Sequence, residues 1–323
     1  MKMKSIFRIL IVLCMMLSLT PVKVSAETVS EENGAWAYVK WANGTKTEYG
    51  TFTDAWNAAT SSGDNNTVGL NNNWDGGHFL VPEGKTLTLE LNGWVLTRDL
   101  ADEKGDGEVI QVDTKAKLTV YGGNKDNLTF NSDNSHSVNV YVANADRYGY
   151  TRKSKTLCGG IINGGNSSDG GGGIHMEENT KVYLYNVTIA GNRAGAKTVE
   201  FGDGGGIEMD ESYGYLYMQD TQVIYNCARY DGGGVHVDQS YNKIEMVRSC
   251  IDHNVADDNG GGLYVDGNNF VLKGDAKQIM NPEDAISTYG INDWTGSEDY
   301  FPPVKEIGSS ISYIVNEFKL CAL

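Results

Sequence analysis

Apolar and polar residues alternate with a period of two over most of the chain, in short runs separated by Gly, Asn and Asp. Such runs are Leu87–Leu91, Leu118–Tyr121 and Val138–Val142, with shorter ones at Leu80-Val81, Val109–Val112 and Gly159–Asn163. Period-two runs bounded by turn residues predict strands. One stretch departs from the pattern. Phe52, Trp56 and Ala59 fall on one face at helical spacing, and Thr51 or Thr53 precedes them as an N-cap, so a short amphipathic helix is expected after a first strand at Trp36–Val39.

The runs recur at a fixed interval. Asp203-Gly-Gly-Gly-Ile207, Asp231-Gly-Gly-Gly-Val235 and Asn259-Gly-Gly-Gly-Leu263 follow one another every 28 residues, and a looser copy at Asp169–Glu177 lies 33 residues upstream. A constant interval with strand periodicity inside it predicts one coil per repeat, stacked on the next. The expected fold class is all-β, a single-stranded right-handed parallel β-helix with a short N-terminal capping helix. That helix would cover the first coil, whose strand edges otherwise recruit other chains. Aligned copies place Ile174, Ile207, Val235 and Leu263 in one inward column and Met176, Met209, Val237 and Val265 in a second. Val182, Leu216, Ile244 and Leu272 form a third, and Ile189, Val223, Ile251 and Ile279 a fourth. Asn192, Asn226 and Asn254 make a column of corner residues, expected to turn the chain through a left-handed conformation while their amides bond up and down the stack. The glycine triplets turn the opposite corner. Four segments are expected: 1–26 a signal peptide, 27–67 an N-terminal strand and capping helix, 68–282 the β-helix, and 283–323 a tail or cap. The polar stretch between Asn124 and Lys155 reads as a loop inserted into one coil.

Ile251-Asp-His-Asn254 followed by Gly261-Gly262-Leu263 resembles the repeat of bacterial polymorphic outer-membrane proteins. The chain as a whole resembles the right-handed parallel β-helix superfamily that includes pectate lyases, most closely over about residues 159–280 and more weakly over Leu80–Gly123. The resemblance implies the fold and export to a cell surface. It carries no catalytic residue onto this chain, because a pectate lyase needs a cation and a Lys or Arg base on the reacting face, and the exposed columns hold neither. The Gly-His-Gly and Arg-x-Lys of polygalacturonase-like hydrolases are absent too, and Asp257-Asp258 lies in a corner.

With Ile174 and Met176 pointing inward, His175 and Glu177 point outward, as do Glu208 with Asp210, His236 with Asp238, and Tyr264 with Asp266. One face then displays a mixed His/Glu/Tyr column beside a carboxylate column. Three roles are open to it: a solvated polar face, a calcium site at Glu177, Asp210, Asp238 and Asp266, or general acid/base catalysis by Asp210 and Asp238 with Glu208 or His236 in support. A metal site built from His175, Glu208 and His236 is not expected, since it would stretch across three coils. Tyr183 and Tyr217 share another outward column, with Tyr185 and Tyr215 beside them. Rings on a rigid sheet suit sugars or a protein partner, or serve as cross-strand packing.

Residues 1–26 join Lys2, Lys4 and Arg8 to an apolar run and a small-residue cleavage signature at Val24-Ser25-Ala26, the pattern of an export signal. The apolar run is too short to span a bilayer, so the protein is not expected to be integral to a membrane. The net charge is −16. Cleavage removes Lys2, Lys4, Arg8 and Lys23 and no acid, leaving −20. Nucleic acid is therefore excluded as a partner on charge. Cys158, Cys227, Cys250 and Cys321 show no CxxC and are expected as small apolar fillers. The leading expectation is a secreted or cell-surface module that binds a glycan or a host or cell-surface protein, as an adhesin does. The alternatives are a glycoside hydrolase acting on a neutral polysaccharide through the carboxylate ladder, and a structural spacer or fragment of a larger surface protein.

Overall fold

The computed structural model describes residues 34–123, 125, 134–144, 150–195, 202–266 and 269–278. The signal segment, Ile279, Cys321 and the tail lie outside the described residues.

The chain winds into a right-handed parallel β-solenoid of about six turns. Each coil passes through three main faces, and each face is a ladder of parallel strands from successive coils. The first, the tyrosine face, stacks Asn66–Leu70, Thr86–Glu90, Lys117–Tyr121, Lys181–Tyr185, Tyr215–Gln219 and the start of Lys243–Asp252. The second, the covered face, stacks Trp74-Asp75, Val95–Thr97, Gly160–Asn163, Val187–Ala190, Gln222–Ile224 and the end of Lys243–Asp252. The third, the histidine face, stacks Phe79–Val81, Ile110–Val112, Ile174–Met176, Ile207–Met209, Val235–Val237 and Leu263–Val265. A short ladder from Asn166-Ser167 to Val255-Ala256 joins the second face to the third.

The register agrees with the repeat alignment. Ile174, Ile207, Val235 and Leu263 are direct ladder partners, as are Val182, Leu216, Ile244 and Leu272, and Ile189, Val223 and Ile251. Almost all of these side chains are fully buried in one continuous apolar core. Burial of whole columns, at about 25 cal/mol per Å² of apolar surface, is what drives coil onto coil.

The corners differ from expectation in one respect. Asn192, Asn226 and Asn254 are not the left-handed residues; the positions before them are, at Gly191, Tyr225 and His253 (φ 66°, 57° and 54°). The asparagines instead supply the bonds. The Asn192 amide nitrogen donates to Asn226 Oδ1, and Asn226 Nδ2 to Asn254 Oδ1, each at 3.0 Å. Asn186 is a left-handed bend between the first two faces, stacked with Asp220 and Arg248 (φ 57°, 51° and 47°).

The first coil is covered on two of its faces. Thr51 caps the helix Phe52–Ser61 by accepting the Asp54 amide at 3.0 Å. Phe52, Ala55, Trp56 and Ala59 are its buried residues, and Phe52 and Trp56 pack on Phe79. Trp56 Nε1 donates to the Leu80 carbonyl at 2.9 Å, on the first strand of the histidine face. The first strand of the tyrosine face is blocked differently, by antiparallel pairing with Ala37–Lys40, which in turn pairs with Lys46–Tyr49. The insertion expected as a loop contains an antiparallel hairpin, Ser135–Ala143 with Tyr150–Cys158. Its Val138 and Val140 pack on Ile161, Ala190 and Ile224 and roof the second face.

Candidate functional site

On the histidine face, residues 175, 208, 236 and 264 form one ladder and residues 177, 210, 238 and 266 the next. Each acid of the second column bonds its amide to the carbonyl one coil below: Asp210 to Met176 at 3.1 Å, Asp238 to Met209 at 3.0 Å and Asp266 to Val237 at 2.9 Å. This carboxylate column stands partly or fully in solvent. The neighbouring column was expected to be exposed as well, and its two central members are not, while His175 and Tyr264 are partly exposed. Glu208 is 6% exposed and His236 4%. The glycine corners explain the burial, because they fold back over the sheet: a Cβ on Gly170 would meet Glu208 Oε2 at 1.7 Å, and one on Gly232 would meet His236 Cβ at 2.8 Å. Period-two alternation gives the direction in which a side chain points. It does not say what lies above it.

Glu208 joins the two histidines. Its Oε2 lies 3.1 Å from His175 Nδ1 and its Oε1 lies 3.6 Å from His236 Nδ1. His175 also reaches Glu177 through Nε2 at 3.4 Å and Asp210 at 3.8 Å, and Gln111 Nε2 donates to Glu177 at 3.2 Å. The His236 ring stacks on Tyr264 with centroids 5.5 Å apart and planes 8° off parallel. Electrostatics separates the members of this group. Burial pushes Glu208 up, but hydrogen bonding from His175 and the charges of His175 and His236 hold it below the ordinary carboxylate value. Burial also opposes the charged forms of the histidines, and the surrounding carboxylates nonetheless raise both. Asp210, desolvated and close to Glu208, is pushed up to about 6.

Two triplets of potential ligand atoms each lie within 4.8 Å of one another among the described residues: His175 with Glu177 and Asp210, and Asp203 with Glu208 and His236. Of the four acids expected to hold calcium, Glu177 and Asp210 enter the first triplet, whereas Asp238 and Asp266 enter neither. Sequence reasoning missed Asp203, which reads as a turn residue. It is one: its Oδ1 accepts the Asp231 amide at 2.7 Å, and Asp231 does the same for Asn259 at 2.7 Å. The turn also brings Asp203 back over Glu208.

The tyrosine face carries a different chemistry. Tyr121 stacks on Tyr185 (5.1 Å, 15°), Tyr185 meets Tyr217 at 5.5 Å, Tyr217 meets Tyr183 at 6.1 Å, and Tyr183 meets Tyr215 at 5.6 Å. All five rings are partly exposed. Lys117 lies over the Tyr183 ring at 4.8 Å and Lys243 over Tyr215 at 4.6 Å. The Tyr215 hydroxyl donates to Glu245 at 3.1 Å and Tyr217 to Gln219 at 3.0 Å, which fixes the ring planes. Tyr213 and Tyr241 extend the aromatic surface around the corner, stacked at 5.1 Å and more than half exposed. Their 28-residue separation was the signal in the sequence that could have found them.

Comparison with protein-family models, with curated proteins and with solved structures gave no match.

Proposed function

We propose that the protein is an exported, surface-displayed β-helix that binds a glycan along its tyrosine face. The observation that carries this reading is the unbroken run of five partly exposed rings across three coils, Tyr121, Tyr185, Tyr217, Tyr183 and Tyr215. Aromatic faces pack against the C–H faces of sugar rings, and a rigid ladder holds them in place at little entropic cost. Charge supports a sugar as the occupant. The histidine face carries a column of carboxylates, whereas Lys117, Lys181 and Lys243 line the edge of the tyrosine face beside Glu245, giving donors and an acceptor for hydroxyl groups. The stacked rings repeat the same chemistry from coil to coil, which favours a repetitive ligand. Membership of the pectate-lyase-like superfamily, the likeness to polymorphic outer-membrane repeats and the signal at 1–26 belong to the same reading, a bacterial surface protein.

The test is a glycan array probed with residues 27–323, followed by calorimetry with the glycan retained. Tyr183→Ala and Tyr217→Ala are each expected to weaken binding about ten-fold or more. Retention that ignores both substitutions, or no retained glycan at all, overturns the proposal. If reducing ends are released and Asp210→Asn with Asp238→Asn abolishes that release, the carboxylate ladder is a hydrolase centre and the binding reading fails.

A further inference from the structure

Beside the carboxylate column, and independent of the tyrosine face, lies a group for which hydrogen bonding gives no complete account. His236 is 4% exposed, and its Nδ1 has no hydrogen-bond partner. It points at Glu208 Oε1 from 3.6 Å, beyond hydrogen-bonding range. A buried polar nitrogen left without a hydrogen bond is destabilising, so its place beside Glu208 and Asp203 needs a reason. One ring nitrogen of His236 also lies within 4.8 Å of ligand atoms of Glu208 and Asp203.

We propose that Asp203, Glu208 and His236 form a binding site for a divalent first-row transition ion of the zinc class. One imidazole nitrogen and two carboxylate oxygens are ligands suited to zinc; calcium takes six to eight oxygens and magnesium keeps most of its water. Tetrahedral zinc places its ligand atoms about 3.3 Å apart, so the 3.6 Å gap between His236 Nδ1 and Glu208 Oε1 is close to the separation the ion would bridge. The surroundings orient each ligand. His175 Nδ1, 3.1 Å from the second Glu208 oxygen, fixes that carboxylate from behind, and the Tyr264 ring fixes the imidazole plane. Asp203 is held by the bond from the Asp231 amide to its Oδ1, which leaves its other oxygen for the ion. The three ligands come from one corner and two adjacent strands, so only the stacked coils assemble them.

The experiment uses the mature chain, stripped with chelator, dialysed and titrated with Zn²⁺ alone by calorimetry. One equivalent is expected to bind, and Co²⁺ in its place is expected to give the intense visible absorption of a four-coordinate ion. Asp203→Asn, which keeps the oxygen that caps Asp231, and His236→Phe, which keeps the stack on Tyr264, are each expected to weaken Zn²⁺ by more than about ten-fold. Glu177→Gln, in the neighbouring triplet, is expected to leave the affinity unchanged. Failure of the folded wild-type chain to bind Zn²⁺ overturns the proposal. So does binding that is lost in Glu177→Gln but retained in Asp203→Asn, because the ion would then sit between His175 and Asp210.

Discussion

Asn226 shows how a single residue holds three successive coils together. Its Oδ1 accepts both the backbone and side-chain amides of Asn192, and its Nδ2 donates to the Ile189 carbonyl at 2.9 Å and to Asn254, all without solvent. Asn226→Ala strands several of these groups at once, at about 1–3 kcal/mol for each left unpaired. A loss of about 2–4 kcal/mol in urea denaturation is expected, and a loss below about 1 kcal/mol would show that water replaces the amide. The glycines separate into two kinds. A Cβ on Gly205 would meet the Cys227 carbonyl oxygen at 2.3 Å and the Gly233 oxygen at 2.5 Å, both backbone atoms that cannot move aside, whereas Gly105 has nothing within 4 Å. Gly205→Ala is therefore expected to abolish soluble folded protein. Gly105→Ala is expected to change stability by less than about 1 kcal/mol, in the stabilising direction where its φ suits alanine. The repeat in the sequence marks Asn226 and Gly205 equally as corner residues. Which of them bonds, which only makes room, and that the left-handed position precedes the asparagine, depends on neighbours one coil away.

At the scale of elements, the helix and the hairpin show opposite degrees of legibility. The helix was readable because Phe52, Trp56 and Ala59 break the period-two pattern and Thr51 is a strong cap. The hairpin was legible only in part, as one apolar strand at Val138–Val142 within a polar insertion. Its second strand, Tyr150–Cys158, is largely exposed and polar, so no buried face announces it. Docking combines buried Val138 and Val140, the bond from the Tyr141 amide to the Tyr225 carbonyl at 3.0 Å, that from Asn163 Nδ2 to the Asn139 carbonyl at 2.8 Å, and polar contacts of His136 with the Gly93 carbonyl and of Asn139 and Arg152 with Asp99. Val140→Asp places a carboxylate at a fully buried position. The hairpin is expected to lift from the second face. Faster trypsin cleavage at Arg152 and Lys153, with unchanged far-ultraviolet circular dichroism, would register this; cleavage at the wild-type rate would mean that the hairpin is held elsewhere.

For the whole molecule, outside the hairpin that packs across several coils, each coil touches only the coils beside it, so stability is close to a sum of nearest-neighbour terms. The N-terminal end is covered on two faces by the helix and the antiparallel pair. Toward the other end, the pairing of Lys243–Asp252 with the last described strand is interrupted by register shifts, and Leu263 and Tyr264 are only partly buried. Hydrogen exchange is expected to be slowest at Ile207–Met209 and Tyr215–Gln219 and faster at Leu263–Val265. Equal protection throughout would instead mean a single cooperative unit.

The spacing of glycines, asparagines and apolar residues was enough to specify a stacked parallel solenoid and the direction of nearly every strand side chain. Both follow from local periodicity, and stacking identical intervals converts separation in sequence into position in space. The environment of the outward columns was decided by tertiary structure alone. Corner loops fold over Glu208 and His236 and bury them, while Asp238, two residues beyond His236, stays partly exposed and Asp266, two beyond Tyr264, stays in water. Periodicity encodes a direction relative to the sheet, whereas burial, proton affinity and the meeting of Asp203 with His236 depend on what another coil places over that direction.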